Sequence, residues 1–269
     1  MPELPEMEHY KEVLMGRVLN KPITDVRINR PKSINKDPSF FKERLIGQEI
    51  TAIERRAKFL AFHLTNKDVL LLHLMLGGKM YYGQESTSPD HEKQVILEFG
   101  EEALFFIGLR LGYLHLLTTD ELKAEWAKLG PEPLSSHMTE TDFFDRLKRK
   151  RGKLKAVLVD QSFIAGIGNR YSDEINFEAA LSPKREVSQL TSAEGSSLFL
   201  ALRQVLTQAI QAGGYLDLPV FEGDTVTGGA EKKMKVHGLA GHPCPRCGAT
   251  LVEEKVSSKK TSYCPNCQH

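Results

Sequence analysis

The first six residues, Met1-Pro2-Glu3-Leu4-Pro5-Glu6, set a cyclic secondary amine beside two carboxylates. The initiator Met is normally removed when a small residue such as Pro follows, which would leave Pro2 with a free amine. An α-amino group titrates at about 7.7–8.0, against about 10.4 for Lys, so a useful fraction is unprotonated near neutral pH. Attack of a secondary amine on a sugar C1′ gives an iminium that stays cationic and draws electrons from the bonds around it. Glu3 and Glu6 would supply proton transfer beside that nucleophile. The same residues also suit a helix start, with Pro5 in the first turn and the acids favoured by the helix dipole. The hexapeptide by itself leaves both readings open.

A second chemical cluster lies at the other end of the chain. All four cysteines fall in the last 26 residues, as Cys244-x-x-Cys247 and Cys264-x-x-Cys267 with sixteen residues between the pairs. Two such knuckles fit a tetrahedral four-cysteine ribbon holding one Zn2+ through thiolates. Disulfides or free thiols compete with this, but no secretion signal opens the chain. With four protein ligands the zinc would be structural, worth on the order of 10–16 kcal/mol of apparent folding energy.

These groups sit in a chain of 269 residues, 41% hydrophobic and 26% charged, which is long enough for two domains and ordinary for a globular protein. No apolar run is long enough to cross a bilayer, so cytoplasmic residence is expected. Net charge is only +1, but Arg146, Lys148, Arg149, Lys150, Arg151, Lys153 and Lys155 form a dense basic run. That run is either a solvated face or part of a footprint for phosphates.

The positioning elements follow from periodicity. Residues Pro5 to Leu19 read as a helix with Tyr10, Val13 and Leu14 facing inward. Strands are expected at Ile23–Ile28, Glu49–Ile53, Phe59–Leu64, Val69–Met75, Lys79–Tyr82, Gln94–Phe99, Ala103–Ile107 and Tyr113–Leu117, a pattern suited to a β-sandwich or barrel. Helices follow at Asp120–Leu129 and Thr139–Lys150, divided by Gly130-Pro131-Glu132-Pro133. A capping box at Thr191-Ser192-Ala193-Glu194 starts the longest helix, which Gly213-Gly214 ends. The expected organisation is α+β and multidomain: residues 1–118 a helix plus β-sandwich, 119–235 a helical domain, 236–269 a zinc-finger segment.

Between two apolar stretches of the helical part stands Gly166-Ile167-Gly168-Asn169-Arg170-Tyr171-Ser172-Asp173-Glu174. Together with Pro2-Glu3-Leu4-Pro5-Glu6, Arg55-Arg56-Ala57-Lys58, Gly130-Pro131-Glu132-Pro133-Leu134, Lys155 and the ribbon ending Tyr263-Cys264-Pro265-Asn266-Cys267-Gln268, it resembles the formamidopyrimidine-DNA glycosylase/endonuclease VIII family of base-excision repair enzymes, as an atypical member. The resemblance runs through the whole chain in the family's order. It implies a β-sandwich, a helix–two-turn–helix domain and a zinc finger, acting on damaged double-stranded DNA. Pro2 would be the nucleophile, Glu3 the acid/base, Glu6 its support and Lys58 a contact to the damaged nucleotide's backbone. Lys155 and Asn169 would grip flanking phosphates, which positions DNA without reading sequence. The implied activity is a bifunctional glycosylase and AP lyase that works through a Pro2 iminium and β,δ-elimination, as a monomer near the nucleoid. A non-catalytic binder of damaged, abasic or distorted DNA is the alternative.

The departures from the family lie where lesions are read. Family members carry a Met at the position of Leu76, and Arg-Arg-Phe-Gly where this chain has Leu109-Arg110-Leu111-Gly112. The family's residues there fill the hole left by the everted nucleotide, so Leu76, Leu109 and Leu111 would form an apolar wedge beside Arg110. Lys259 replaces a phosphate-holding Arg of the finger and loses the bidentate fork. The stretch 214–236 departs from a longer base-capping loop, and Val236-His237-Gly238-Leu239 replaces Val-Tyr-Gly-Arg. Lesion choice is therefore expected to differ from that of 8-oxoguanine enzymes.

Overall fold

The computed structural model describes all 269 residues. In chain order the elements are α1 (Leu4–Val18), β1 (Asp25–Ile28), α2 (Pro38–Leu45), β2 (Ile50–Arg56), β3 (Phe59–Leu64), β4 (Val69–His73), β5 (Lys79–Gly83), β6 (Lys93–Phe99), β7 (Glu102–Ile107) and β8 (Tyr113–Leu117). Then come α3 (Thr119–Trp126), α4 (Glu140–Lys148), α5 (Leu154–Leu158), α6 (Asn169–Glu178), α7 (Ser192–Gln211), β9 (Val252–Val256) and β10 (Lys259–Tyr263).

Two units form. The first is Met1–Ala127 with Ala212–Gly229, the second Lys128–Gln211 with Ala230–His269. In the first, two antiparallel four-stranded sheets, β1-β6-β7-β5 and β2-β3-β4-β8, make the sandwich. Alternation along the strands sends Leu60, Phe62, Leu70, Leu72 and Leu114 of one sheet into the same buried cluster as Val95, Leu97, Leu104 and Phe106 of the other. Phe62 and Phe106 meet edge to face across it, with ring centroids 6.5 Å apart. Tyr10 and Leu14 of α1 are buried there as the helical spacing requires, and Val13 packs beside them.

The division expected at residues 118 and 119 is corrected. Leu122 of α3 is buried against Ala61, Val69 and Leu71, with Trp126 packed alongside, so α3 closes the outer face of its own sheet. Residues 212–229 also return to the first unit: Leu216 and Val220 join the inter-sheet core, and the Tyr82 N–H donates to the Val220 carbonyl at 2.7 Å. The ribbon is not a separate body either. It packs on α6 through Phe177, Val236, Leu251, Cys244 and Cys264.

The strand expected to reach Met75 stops at His73, because Met75 turns left-handed at φ 48°. Helix α2 lies outside the expected elements, although Asp37-Pro38 carries its start signal: the Asp37 carboxylate caps the Ser39 and Phe40 N–H groups and Pro38 opens the first turn. The α7 capping box forms as expected, with the Thr191 N–H donating to Glu194 and the Glu194 N–H to the Thr191 hydroxyl.

Candidate active site and nucleic-acid interface

In the first unit the N-terminal carboxylates are buried on the opening turn of α1. Glu3 is 3% exposed and Glu6 1%. Glu3 is the helix N-cap, so its N–H points into the first turn, where the Glu6 carboxylate accepts it at 2.7 Å. The other Glu6 oxygen accepts the Tyr215 N–H at 3.1 Å. Gly214, at φ +67°, makes that approach feasible, since a Cβ there would stand 2.6 Å from Glu6 Oε1. The sequence motif thus acquires a partner more than two hundred residues away. The hydroxyl of Tyr215 donates to the Met1 carbonyl at 2.6 Å.

The segment carrying Tyr215 is itself pinned. Asp224 accepts the N–H groups of Val220, Val226 and Thr227 at 2.8, 3.0 and 3.1 Å, and the Thr227 hydroxyl bonds His9 Nε2 at 2.6 Å. Burial pushes the Asp224 carboxyl up, but the Thr227 and backbone donors outweigh it and hold the group below its usual range. The glycine-rich stretch is therefore a tied turn anchored to α1.

Lys58 occupies the turn between β2 and β3, after Ala57 at φ 54°, and is only 5% exposed. A residue that sequence reasoning missed stands near it. His73, at the end of β4, is 9% exposed, with Phe59 edge-on at 4.6 Å and Tyr113 stacked at 5.9 Å. Burial, then the Lys58 charge, push its pKa down to about 4. The imidazole is thus neutral at pH 7. Its Nδ1 accepts the Met75 N–H at 3.0 Å, which leaves the ring proton on Nε2 as a donor beside a cation. Only a lone His in a leucine run marked it in sequence.

The expected wedge divides. Leu76, between β4 and β5, and Leu111, between β7 and β8, are exposed at 60% and 61%. Leu109 is corrected: it is fully buried in the inter-sheet core and presents nothing to a ligand. Arg110 is exposed, with its guanidinium 3.4 Å from Glu92.

In the second unit Lys155 also departs from expectation. Its side chain is 0% exposed, and Nζ donates to Asp173 Oδ1 at 2.6 Å, to Ser172 Oγ at 2.7 Å and to the Asn169 carbonyl at 2.7 Å. Burial in this ion pair removes it as a direct phosphate grip and makes it a positioning residue for the turn that ends at Asn169. Asn169 itself is exposed at the first position of α6, where helix N–H groups favour anions. Gly166 turns at φ +101°, and its N–H is held by the Gln161 side chain at 2.9 Å.

Asp173 does more than pair Lys155. Its Oδ2 takes His237 Nδ1 at 2.7 Å and the Ser262 N–H at 3.1 Å. Glu174 accepts the N–H groups of Lys235, Val236 and His237 at 2.9, 3.0 and 2.8 Å; burial raises its pKa despite those donors. Two adjacent carboxylates on α6 therefore bind the segment that leads into the ribbon. No local pattern in the chain marks this role.

The cysteine cluster passes a geometric test for zinc. Tetrahedral Zn–S bonds of about 2.3 Å require sulfurs roughly 3.8 Å apart. Cys244 and Cys267 are separated by 3.9 Å, Cys247 and Cys264 by 3.6 Å, and all four Sγ atoms lie within 4.8 Å of one another. None is disulfide-bonded. These four thiolates hold one structural zinc. Lys259 opens β10, exposed, after a hairpin turn in which Ser257 and Ser258 both have positive φ.

A β-sandwich with an N-terminal proline–glutamate turn, a helical unit and a four-cysteine ribbon define a class of DNA-repair protein, and comparison with known proteins gives the family. The formamidopyrimidine-DNA glycosylase N-terminal domain matches residues 1–113, the corresponding H2TH domain 129–217, and the zinc finger found in FPG and IleRS 241–269. Formamidopyrimidine-DNA glycosylases of Carboxydothermus hydrogenoformans and Listeria monocytogenes are 36% and 35% identical, with both chains covered completely in each case. Solved complexes of the Lactococcus lactis protein align at TM-score 0.92 and 29% identity. One, of a variant with Fapy-dG DNA, covers 100% of both chains; another, with abasic-site DNA, covers 99% of both. The chain belongs to the formamidopyrimidine-DNA glycosylase/endonuclease VIII family.

Proposed function

We propose that this protein is a base-excision-repair DNA glycosylase with AP lyase activity. The observation that carries the reading is the Glu6 carboxylate, locked beside Pro2 and Glu3 by two backbone donors. DNA binding alone does not require a buried acid pair next to an N-terminal secondary amine. With Met1 removed, the Pro2 nitrogen lone pair attacks C1′ of a nucleotide turned out of the duplex. The glycosidic bond breaks, and the base leaves with its electrons and a proton. Loss of the ring oxygen bond from C1′, with Glu3 as proton donor, opens the sugar to an iminium. That cation acidifies the C2′ proton. Its removal expels the 3′-phosphate, a second elimination expels the 5′-phosphate, and a one-nucleotide gap remains.

Lys58 and the neutral His73 suit contacts to the backbone of the damaged nucleotide, and Asn169, Arg110 and Lys259 suit phosphates around it. The departures at Leu76, Leu109 and Leu111 and in the stretch 214–236 support a lesion choice other than that of 8-oxoguanine enzymes. No helix is long and apolar enough to cross a membrane. The protein acts as a monomer in the cytoplasm, at the nucleoid. Borohydride trapping on an abasic-site duplex tests the mechanism: correctly processed protein gives a covalent adduct and Pro2→Gly gives almost none. Absence of adduct from protein shown by mass to begin at Pro2 overturns the lyase reading. A panel of oxidised, ring-opened and alkylated bases then identifies the substrate.

A further inference from the structure

Tyr215 touches the catalytic end of the chain twice. Its N–H donates to Glu6 Oε1 at 3.1 Å, and its hydroxyl donates to the Met1 carbonyl oxygen at 2.6 Å. The first contact orients an acid. The second is made to a residue that must leave before Pro2 can react.

The place of that carbonyl gives the contact its meaning. The Met1 carbonyl carbon is bonded to the Pro2 nitrogen through a planar amide of about 1.3 Å. In the covalent intermediate with DNA, the atom bonded to the same nitrogen is the sugar C1′. The Met1 carbonyl carbon therefore stands in for C1′, and its oxygen for the oxygen that C1′ carries, the ring oxygen O4′. Removal of Met1 takes away the stand-in and leaves the Tyr215 hydroxyl beside the space the sugar enters.

The phenol is carried on a segment with little freedom. Tyr215 packs against the inter-sheet core, and Leu216 and Val220 are buried in it. Asp224 takes three backbone N–H groups and the Thr227 hydroxyl, and Thr227 is tied to His9 on α1, the helix that Glu3 caps. A donor held by such a frame needs no reorganisation when charge develops in front of it.

We infer that Tyr215 is a catalytic residue whose hydroxyl hydrogen-bonds O4′ as the sugar ring opens. The inference rests on the lyase reading above and adds a donor to it. As the Pro2 nitrogen lone pair forms the C1′=N+ bond, the C1′–O4′ bond breaks and its electron pair passes to O4′. Tyr215 stabilises the charge growing on that oxygen and keeps its own proton. Glu3 delivers the proton that completes the C4′ hydroxyl. One residue thus sets Glu6 through its backbone and serves O4′ through its side chain.

Tyr215→Phe separates these roles, because it removes the hydroxyl and leaves the N–H on Glu6. The test uses full-length zinc-loaded protein shown by mass to begin at Pro2, in single-turnover borohydride trapping on an abasic-site duplex. An abasic site closed as its hemiacetal must break the same C1′–O4′ bond before the iminium forms. At saturating protein, trapping by Tyr215→Phe should be slower by about a hundredfold, the loss expected for one removed oxyanion donor. The half-saturating protein concentration, and the affinity for a duplex with a tetrahydrofuran abasic analogue, should stay at wild-type values. If wild type traps and the variant is slowed less than about tenfold at saturation, the inference is overturned and the lyase reading stands. A defect confined to the half-saturating concentration overturns it as well, since the hydroxyl then serves binding alone. No adduct from either protein defeats the lyase reading, and the role of Tyr215 falls with it.

Discussion

The Asp173→Asn substitution probes the burial that turned Lys155 from a phosphate contact into a positioning residue. Both side chains of the pair are 0% exposed at an Nζ–Oδ1 distance of 2.6 Å, and the second carboxylate oxygen takes His237 and the Ser262 N–H. An asparagine presents one oxygen where three donor groups converge. Either Lys155 or the His237–Ser262 side then faces an amide NH2. The variant also leaves an uncompensated ammonium in a site closed to water. Removing one partner of a buried pair costs about 3–5 kcal/mol. With a urea slope of about 2 kcal/mol/M, the unfolding midpoint should fall by roughly 1.5–2.5 M. Zinc content, measured by metal analysis, should stay at one per chain below the transition. Lys155→Met should cost a similar amount. The double variant Lys155→Met/Asp173→Leu should cost less than the sum of the singles by at least about 2 kcal/mol, since no charge is left buried. If Asp173→Asn costs under about 1 kcal/mol, water reaches the pair and the argument from burial fails.

Other outcomes follow from the same structure. His73 has a pKa depressed from 6.5 to about 4, so the unfolded chain takes up this proton first as pH falls. Its contribution is fully present above about pH 6.5 and is lost progressively toward pH 4, amounting to roughly 3 kcal/mol at 1.36 kcal/mol per pH unit. Urea titrations of wild type and His73→Gln across that range measure the difference, and an NMR titration midpoint for His73 near 6.5 contradicts it. Gly214→Ala forces a Cβ to within 2.6 Å of Glu6 Oε1 at φ +67°, so borohydride trapping should slow at least tenfold, on the order of 1.4 kcal/mol, with the fold retained. An unchanged rate would show that Glu6 need not be held there. Zinc chelation should weaken DNA binding severely while fluorescence of Trp126, packed beside Leu122 on the sandwich, stays native. Binding that survives chelation removes the ribbon from the interface.

The local grammar of this fold was legible in the chain. Alternating apolar residues marked all eight sandwich strands to within a few positions, and the Thr191 capping box and the cysteine knuckles named their structures directly. These signals are short-range: strand period, cap chemistry and ligand spacing act between residues a few positions apart. The helix α3 was recognised but assigned to the wrong unit, because an amphipathic stripe states that a face is buried and not what buries it.

By itself the sequence determined which chemistry is present: the amine at Pro2 with its two acids, four thiolates spaced for zinc, and leucines at positions 76, 109 and 111. Tertiary structure alone decided which of these groups are available. Leu109 and Leu111 are two residues apart and the same type, yet one is sealed in the core and the other is 61% exposed. Lys155 carries the charge a phosphate wants but commits it to Asp173, and Glu6 is oriented by a backbone N–H at Tyr215. Burial and hydrogen-bond partnership come from segments distant in the chain. They set whether a charge meets water, a ligand or another charge, and no local pattern encodes that.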